Sequence, residues 1–345
     1  MKAQKYGMGR WTRWLVVLVG IGASPPSSAA GFRLDQLELK APIRYDLKGK
    51  RHYHEISANR LQFQGSLRYG LTFFESDALG TLRLRGLIGT GGSFTSQWNT
   101  LLEPGTGFHS PAPVHVRQIY VVHDRGDIRS ELGVIPPVKS KGSNTSLDKD
   151  GWIRGGRVVL PVLETGQLEF VTGAIDHLDE PNAFQTWDEW NYAEVEWTHD
   201  WTSGFRTELS PLYLDEQAYF RGEVRQELQF LKGYDIELAG EIIRNLTTPV
   251  WAIDVSLQAD VRAPGVQDPI SLIVEYAHIP YDFGLLGELS NDFFSLGHML
   301  MVAAKGSMPT NKAYSWFLKG YLTEYQFRVN AGLQFKSDLA ARWKK

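Results

Sequence analysis

Apolar and polar residues alternate along most of this chain, segment after segment, with a period of two. In residues 61–73 the odd positions read Leu61, Phe63, Gly65, Leu67, Tyr69, Leu71 and Phe73. The even positions read Gln62, Gln64, Ser66, Arg68, Gly70 and Thr72. Side chains on a strand point alternately to opposite faces, so this segment has one apolar face and one wet face. Charge follows the same rule elsewhere. In 37–47 the even positions carry Glu38, Lys40, Arg44 and Asp46. In 218–228 Tyr219, Arg221, Glu223, Arg225 and Glu227 share one face. In 251–261 Asp254 and Asp260 lie opposite an unbroken apolar row, and in 327–335 Arg328 and Asn330 do the same.

The alternation predicts about sixteen strands. Their spans are 35–48, 58–75, 80–91, 113–123, 127–135, 152–164, 167–175, 190–201, 203–214 and 216–231. The remaining spans are 233–244, 249–262, 268–279, 295–305, 312–323 and 325–336. Strands of soluble sandwiches usually hold roughly 5–6 residues, whereas several of these keep their pattern for longer. A tilted strand needs roughly 9–11 residues to cross a membrane. Turn residues fill the short connections 123–127, 164–167, 200–204 and 231–234. The long connections are 92–112, 136–151, 176–189 and 280–294, and from a periplasmic N-terminus all of them fall on the outward side. Aromatic residues gather near strand ends, as at Tyr69, Phe73 and Phe74, Trp197 and Trp201, Tyr314 and Trp316, and Tyr321 and Tyr325. Girdles at two membrane interfaces have this distribution. The expected fold is all-β: a transmembrane antiparallel up-and-down β-barrel of about sixteen strands, with fourteen and eighteen as the neighbouring alternatives.

Residues 1–30 read as a signal peptide, leaving 31–345 as the barrel domain. Lys2, Lys5, Arg10 and Arg13 form a basic start, 14–23 is a short apolar run, and Ser28-Ala29-Ala30 is a cleavage site. The expected location is therefore the outer membrane of a Gram-negative bacterium after cleavage near Ala30. Removing four basic residues from 36, against 39 acids, leaves a mature charge of 32 − 39 = −7. That balance argues against a nucleic-acid partner. The chain has no Cys, so disulfides and thiolate metal sites are excluded.

Three stretches resemble bacterial outer-membrane porins. The first runs Asn59-Arg-Leu-Gln-Phe-Gln, then Leu87-Ile-Gly-Thr-Gly-Gly-Ser-Phe-Thr-Ser96. The second runs Arg117-Gln-Ile-Tyr-Val-Val-His, then Glu131-Leu-Gly-Val-Ile-Pro-Pro137. The third runs Leu147-Asp-Lys-Asp-Gly-Trp, then Gly155-Gly-Arg157. The likeness covers about a third of the chain. A Gly-Arg pair common after the second stretch is absent, since Gly133 precedes Val134. Such barrels usually end on an aromatic residue, whereas 10 residues follow Phe335 here. The resemblance implies passive passage of small hydrophilic solutes, outer-membrane lipid and lipopolysaccharide as surroundings, and the barrel-assembly machinery as a partner. Many porins of this size are homotrimers, although no stretch of this sequence reads as an interface.

A pore works through its lumen charges and its narrowest ring. The early strands offer Lys40, Arg44, Arg68, Arg83, Arg85, Arg117, Arg129, Arg154 and Arg157 as a basic wall. The later strands offer Glu194, Glu196, Glu208, Asp235, Glu237, Glu241, Asp254, Asp260 and Glu275 as an acidic wall. The connection 136–151 is the expected constriction loop, with Lys139, Lys141, Asp148, Lys149 and Asp150 projecting into the pore. No catalytic or metal site is expected, and no cofactor. Asp176, His177, Asp179 and Glu180 read as a solvated loop, and no Ser–His arrangement accompanies them. His52 and His54 beside Glu55 lack a further ligand. The rival readings are a non-conducting barrel with a structural or surface-binding role, and a lipid-modifying barrel enzyme.

Overall fold

The computed structural model describes residues 32–51, 55–105, 107, 109–137, 145–148, 150–187, 189–201, 204–228, 234–262, 268–290 and 296–340. The predicted signal peptide, His52 and His54, and Lys139, Lys141 and Lys149 lie outside them. The first strands are β1 (Arg33–Lys50), β2 (Glu55–Phe63), β3 (Ser66–Ser76), β4 (Gly80–Thr90), β5 (Asn99–Leu102) and β6 (Val114–Arg125). Next come β7 (Ile128–Ile135), β8 (Ile153–Val162), β9 (Gly166–Ala174), β10 (Tyr192–Asp200), β11 (Phe205–Leu214) and β12 (Gln217–Leu228). The last are β13 (Tyr234–Asn245), β14 (Trp251–Val261), β15 (Ile270–Ile279), β16 (Gly297–Met308), β17 (Asn311–Thr323) and β18 (Gln326–Asp338). One short helix, α1 (Leu285–Glu288), lies between β15 and β16.

Each strand pairs antiparallel with its neighbours, and β1 pairs β18 from Glu38↔Asp338 to Lys50↔Gln326, which closes the sheet. Closure leaves no unpaired edge, as a barrel in lipid requires. The 18 strands make 16 staves. β2 pairs the second half of β1 and β3 its first half, so 55–76 is one stave broken at Gln64–Gly65. β4 and β5 form another, since β4 pairs β3 while β5 pairs β2. The intervening residues 91–98 leave the sheet between them. The fold class and the strand number read from the sequence are both borne out. The last strand runs past the expected stop at Phe335, because Lys336–Asp338 still pair with β1.

Exposure alternates as the sequence alternates. Along β14, Trp251, Ile253, Val255 and Leu257 are exposed, while Ala252, Asp254 and Ser256 are buried. The outward positions are large and apolar around most of the ring. In a soluble protein so continuous a surface would be an aggregation liability.

The main core lies inside the barrel. Inward residues of the staves, among them Leu212, Leu214, Tyr219, Ile243 and Ile279, meet Phe94, Leu147, Trp152, Phe283, Leu286 and Leu289 from the connections. Each such side chain contributes about 1.5–3 kcal/mol on full burial, so the connections are drawn inward by their own apolar residues. Close approach fixes two glycines. A Cβ on Gly284 would lie 2.0 Å from Gln217 Oε1, and its φ of 93° disfavours other residues. A Cβ on Gly151 would lie 2.3 Å from the Phe94 ring.

Candidate functional site

The later staves bring five glutamates to one arginine. Arg221, on the inward face of β12, lies 3.7 Å from Glu194, 3.6 Å from Glu208, 3.9 Å from Glu223 and 3.5 Å from Glu241. It also donates to Glu196. Further donors come from Tyr192 and Ser210 to Glu194, and from Thr145 to Glu241. Arg206 bonds Glu208 at 3.0 Å, and Arg225 bonds Glu223 at 3.2 Å and lies 3.5 Å from Glu237. The predicted acidic wall thus carries its own arginines. Arg221 and Arg225 were legible as lumen-facing from the alternation, but nothing in sequence marked their partners.

The predicted basic wall is divided among several tasks. Arg83 pairs with Asp124 at 2.5 Å and Asp35 at 3.5 Å near the short turns. Arg129 and Arg157 share Glu131, and Arg157 also pairs with Glu169 at 2.5 Å. Arg117 sits in a bulge of β6 and pins two connections. It donates to Ser93 O at 2.7 Å, Phe94 O at 3.1 Å and Asp150 O at 3.2 Å. Arg68 reaches Asp150 Oδ1 at 2.8 Å. Arg85 faces inward across from Gly70 and Tyr120.

Arg154 corrects the expected lumen assignment. It shares the parity of Gly156 and the exposed Val158, opposite the inward Arg157, so it points out of the barrel. It is nevertheless fully buried, because residues 176–185 lie over it.

Among the described residues a cavity of about 790 Å³ opens in the lumen against β14 to β18 and β1. Lys40, Lys305, Lys312 and Lys319 line one side. Asp148 and Asp150 enter from the connection before β8, with Asp260 and Asp268 beside β14 and β15. Thr95, Gln97 and Trp98 narrow it from the segment 91–98. Arg44 fixes that segment: its guanidinium lies 3.9 Å over the Trp98 ring and its Nε donates to Gln62 at 2.8 Å. Such stacking contributes about 0.5–2 kcal/mol. The segment 91–98 therefore lines the cavity together with the connection 136–151, which the sequence singles out alone. Of the predicted wall residues, Lys40 and Asp260 line this cavity. Asp235 is exposed at the start of β13, and Asp254 and Glu275 are buried on the inward faces of β14 and β15. Sequence reading missed Lys305, Lys312 and Lys319. Inward parity was available for two of them, since Lys319 shares a face with Ser315 and Tyr321 and Lys305 with Met301 and Ala303, whereas Lys312 stands at the start of β17 on the opposite parity.

Among the described residues no group of three or more His, Asp or Glu is placed to hold a metal. His177 Nε2 lies 3.2 Å from Thr186 O.

No family model matches the chain, and no curated protein matches it in sequence. Solved structures do match in fold. The outer membrane protein OprD of Pseudomonas aeruginosa aligns with a TM-score of 0.56 at 11% identity, over 91% of this chain and 96% of that one. OprB of Pseudomonas putida gives 0.58 at 10% identity, over 89% and 94%. OccAB3 of Acinetobacter baumannii gives 0.54 at 12%, over 90% and 100%. At these identities the likeness is one of architecture, and the chain therefore has the closed sixteen-stave fold of the outer-membrane porins that its sequence resembles.

Proposed function

We propose that this protein is a channel of a Gram-negative outer membrane, through which small hydrophilic solutes diffuse passively. The observation that carries the reading is the cavity between Lys40, Lys305 and Lys319 on one side and Asp148 and Asp150 on the other. Opposed charges across a narrow aqueous passage orient dipolar solutes and disfavour apolar ones. Selectivity of this kind comes from shape and fixed charge, so no cofactor and no catalytic residue are invoked. Folding is assigned to the barrel-assembly machinery and assembly to a homotrimer, with lipid and lipopolysaccharide against the outward face.

Planar-bilayer recording of the purified protein tests the proposal. Discrete conductance steps are expected, and their absence after verified insertion would reject it. The inward-folded connections favour one rival, a closed barrel with a structural role. Deleting residues 93–96 should enlarge the conductance step if they form the constriction. An unchanged step would place the narrowest ring elsewhere. Trp98→Ala should enlarge it by a smaller amount in the same recording, since it removes the ring but keeps the segment.

A further inference from the structure

Three adjacent outward positions at the extracellular ends of β7, β8 and β9 are buried: Val134, Arg154 and Ala174. Lower on the same three staves, the outward faces expose Leu132, Val158 and Phe170. Something covers the upper row, and the hydrogen bonds identify it. Arg154 Nε pairs with Asp176 Oδ1 at 2.6 Å. Its Nη2 donates to Asn182 O at 2.9 Å and Gln185 Oε1 at 3.3 Å, and its Nη1 to Ala183 O at 3.4 Å. Ala183 N in turn donates to Val116 O of β6 at 2.7 Å. The connection between β9 and β10 therefore crosses back over the outside of three staves, around an arginine that points outward.

We infer that residues 176–187 form a strap embedded in the outer leaflet, with Phe184 and Trp187 as its lipid anchors. Phe184 lies inside the run of carbonyls that grips Arg154, yet its side chain is 64% exposed. It therefore projects away from the guanidinium and away from the barrel. Trp187, two residues beyond Gln185, is also exposed. Both continue upward the apolar outward surface of Leu132, Val158 and Phe170.

The staves beneath explain why a strap is required. β7 has 8 residues, so it rises only about 20 Å at ~3.4 Å per residue and ~40° tilt, against an apolar band of about 25 Å. β8 beside it and β9 beyond have 10 and 9 residues, whereas β1 has 18. The strap supplies the missing height. It also encloses a cation that bare lipid would penalise, and it places aromatic side chains at the interface, where they are favoured.

The inference rests on the barrel lying in a bilayer, and the test separates the two. The chain has no Cys, so F184C, W187C, L132C and D127C each carry a single thiol. Each is labelled with bimane and reconstituted in nanodiscs of phosphatidylcholine brominated along the acyl chain. L132C is the lipid-facing reference and D127C, in a periplasmic turn, the aqueous one. The labels at F184C and W187C should be quenched by the brominated lipid comparably to L132C, and by iodide several-fold less than D127C. Iodide quenching equal to D127C without bromolipid quenching would overturn the strap. Shielding from both quenchers would also overturn it, because a second copy of the chain would then cover the site. Loss of bromolipid quenching at L132C itself would overturn the bilayer reading beneath it.

Discussion

Replacing Arg221 with methionine will destabilise the folded barrel by about 3–5 kcal/mol, the cost of removing one partner from a buried ion pair. The effect belongs at the top of that range because five carboxylates face this one guanidinium, and Arg221 is 2% exposed. Neighbouring staves β10 to β13 each place at least one glutamate in the cluster, so unscreened repulsion would act across three consecutive strand pairings. The measurement is the guanidinium midpoint of the detergent-folded protein, followed by the electrophoretic shift between folded and unfolded forms. Adding Glu196→Gln and Glu241→Gln to the methionine variant should restore part of the loss, because amides remove charge while keeping shape. An unshifted midpoint in the single variant would mean that water, not Arg221, compensates the carboxylates.

Ion selectivity should respond to the charges that line the cavity more than to the wall charges outside it. Replacing Lys305 and Lys319 with glutamine is expected to shift the reversal potential toward cation preference. Replacing Asp148 and Asp150 with asparagine is expected to shift it the other way. Asp150 is held by Arg68, so its neutralisation also releases a cation toward the passage. Two unit charges about 4 Å apart in water interact by about 1 kcal/mol, which sets roughly fivefold in permeability ratio as the scale per residue. High salt should diminish both shifts, since the Debye length is only about 3 Å at 1 M. Arg83→Gln is the contrast. Arg83 and its partners Asp124 and Asp35 lie outside the cavity lining, so the replacement should leave the reversal potential nearly unchanged. A larger shift from Arg83 than from Lys305 would place the selective field in the early staves instead.

The architecture was legible because a barrel repeats one local rule. Every stave must present apolar residues outward and tolerate polar ones inward, so alternation alone located sixteen staves. The interruptions were not legible. At Gln64–Gly65 the pattern continues through a break in pairing, and only the β5 partner of β2 reveals that 80–102 is a single broken stave. Arg154 shows the limit most clearly. Parity alone sends it outward, toward lipid, and the charge made a lumen assignment attractive. Neither consideration includes a connection that folds back to cover it.

The antiparallel sheet and its strand number follow from the order of residues, because period-two patterning is set residue by residue against the surroundings on each face. Which charges meet one another, and which of them line the cavity, depends on the folded barrel. Those partners are tens to hundreds of residues apart, as with Arg328 and Asp46 across the closing seam at 2.5 Å, and they meet only once the sheet has curled to a particular register. The inward and outward paths of the connections were fixed in the same way, by side chains that find their cover in distant staves.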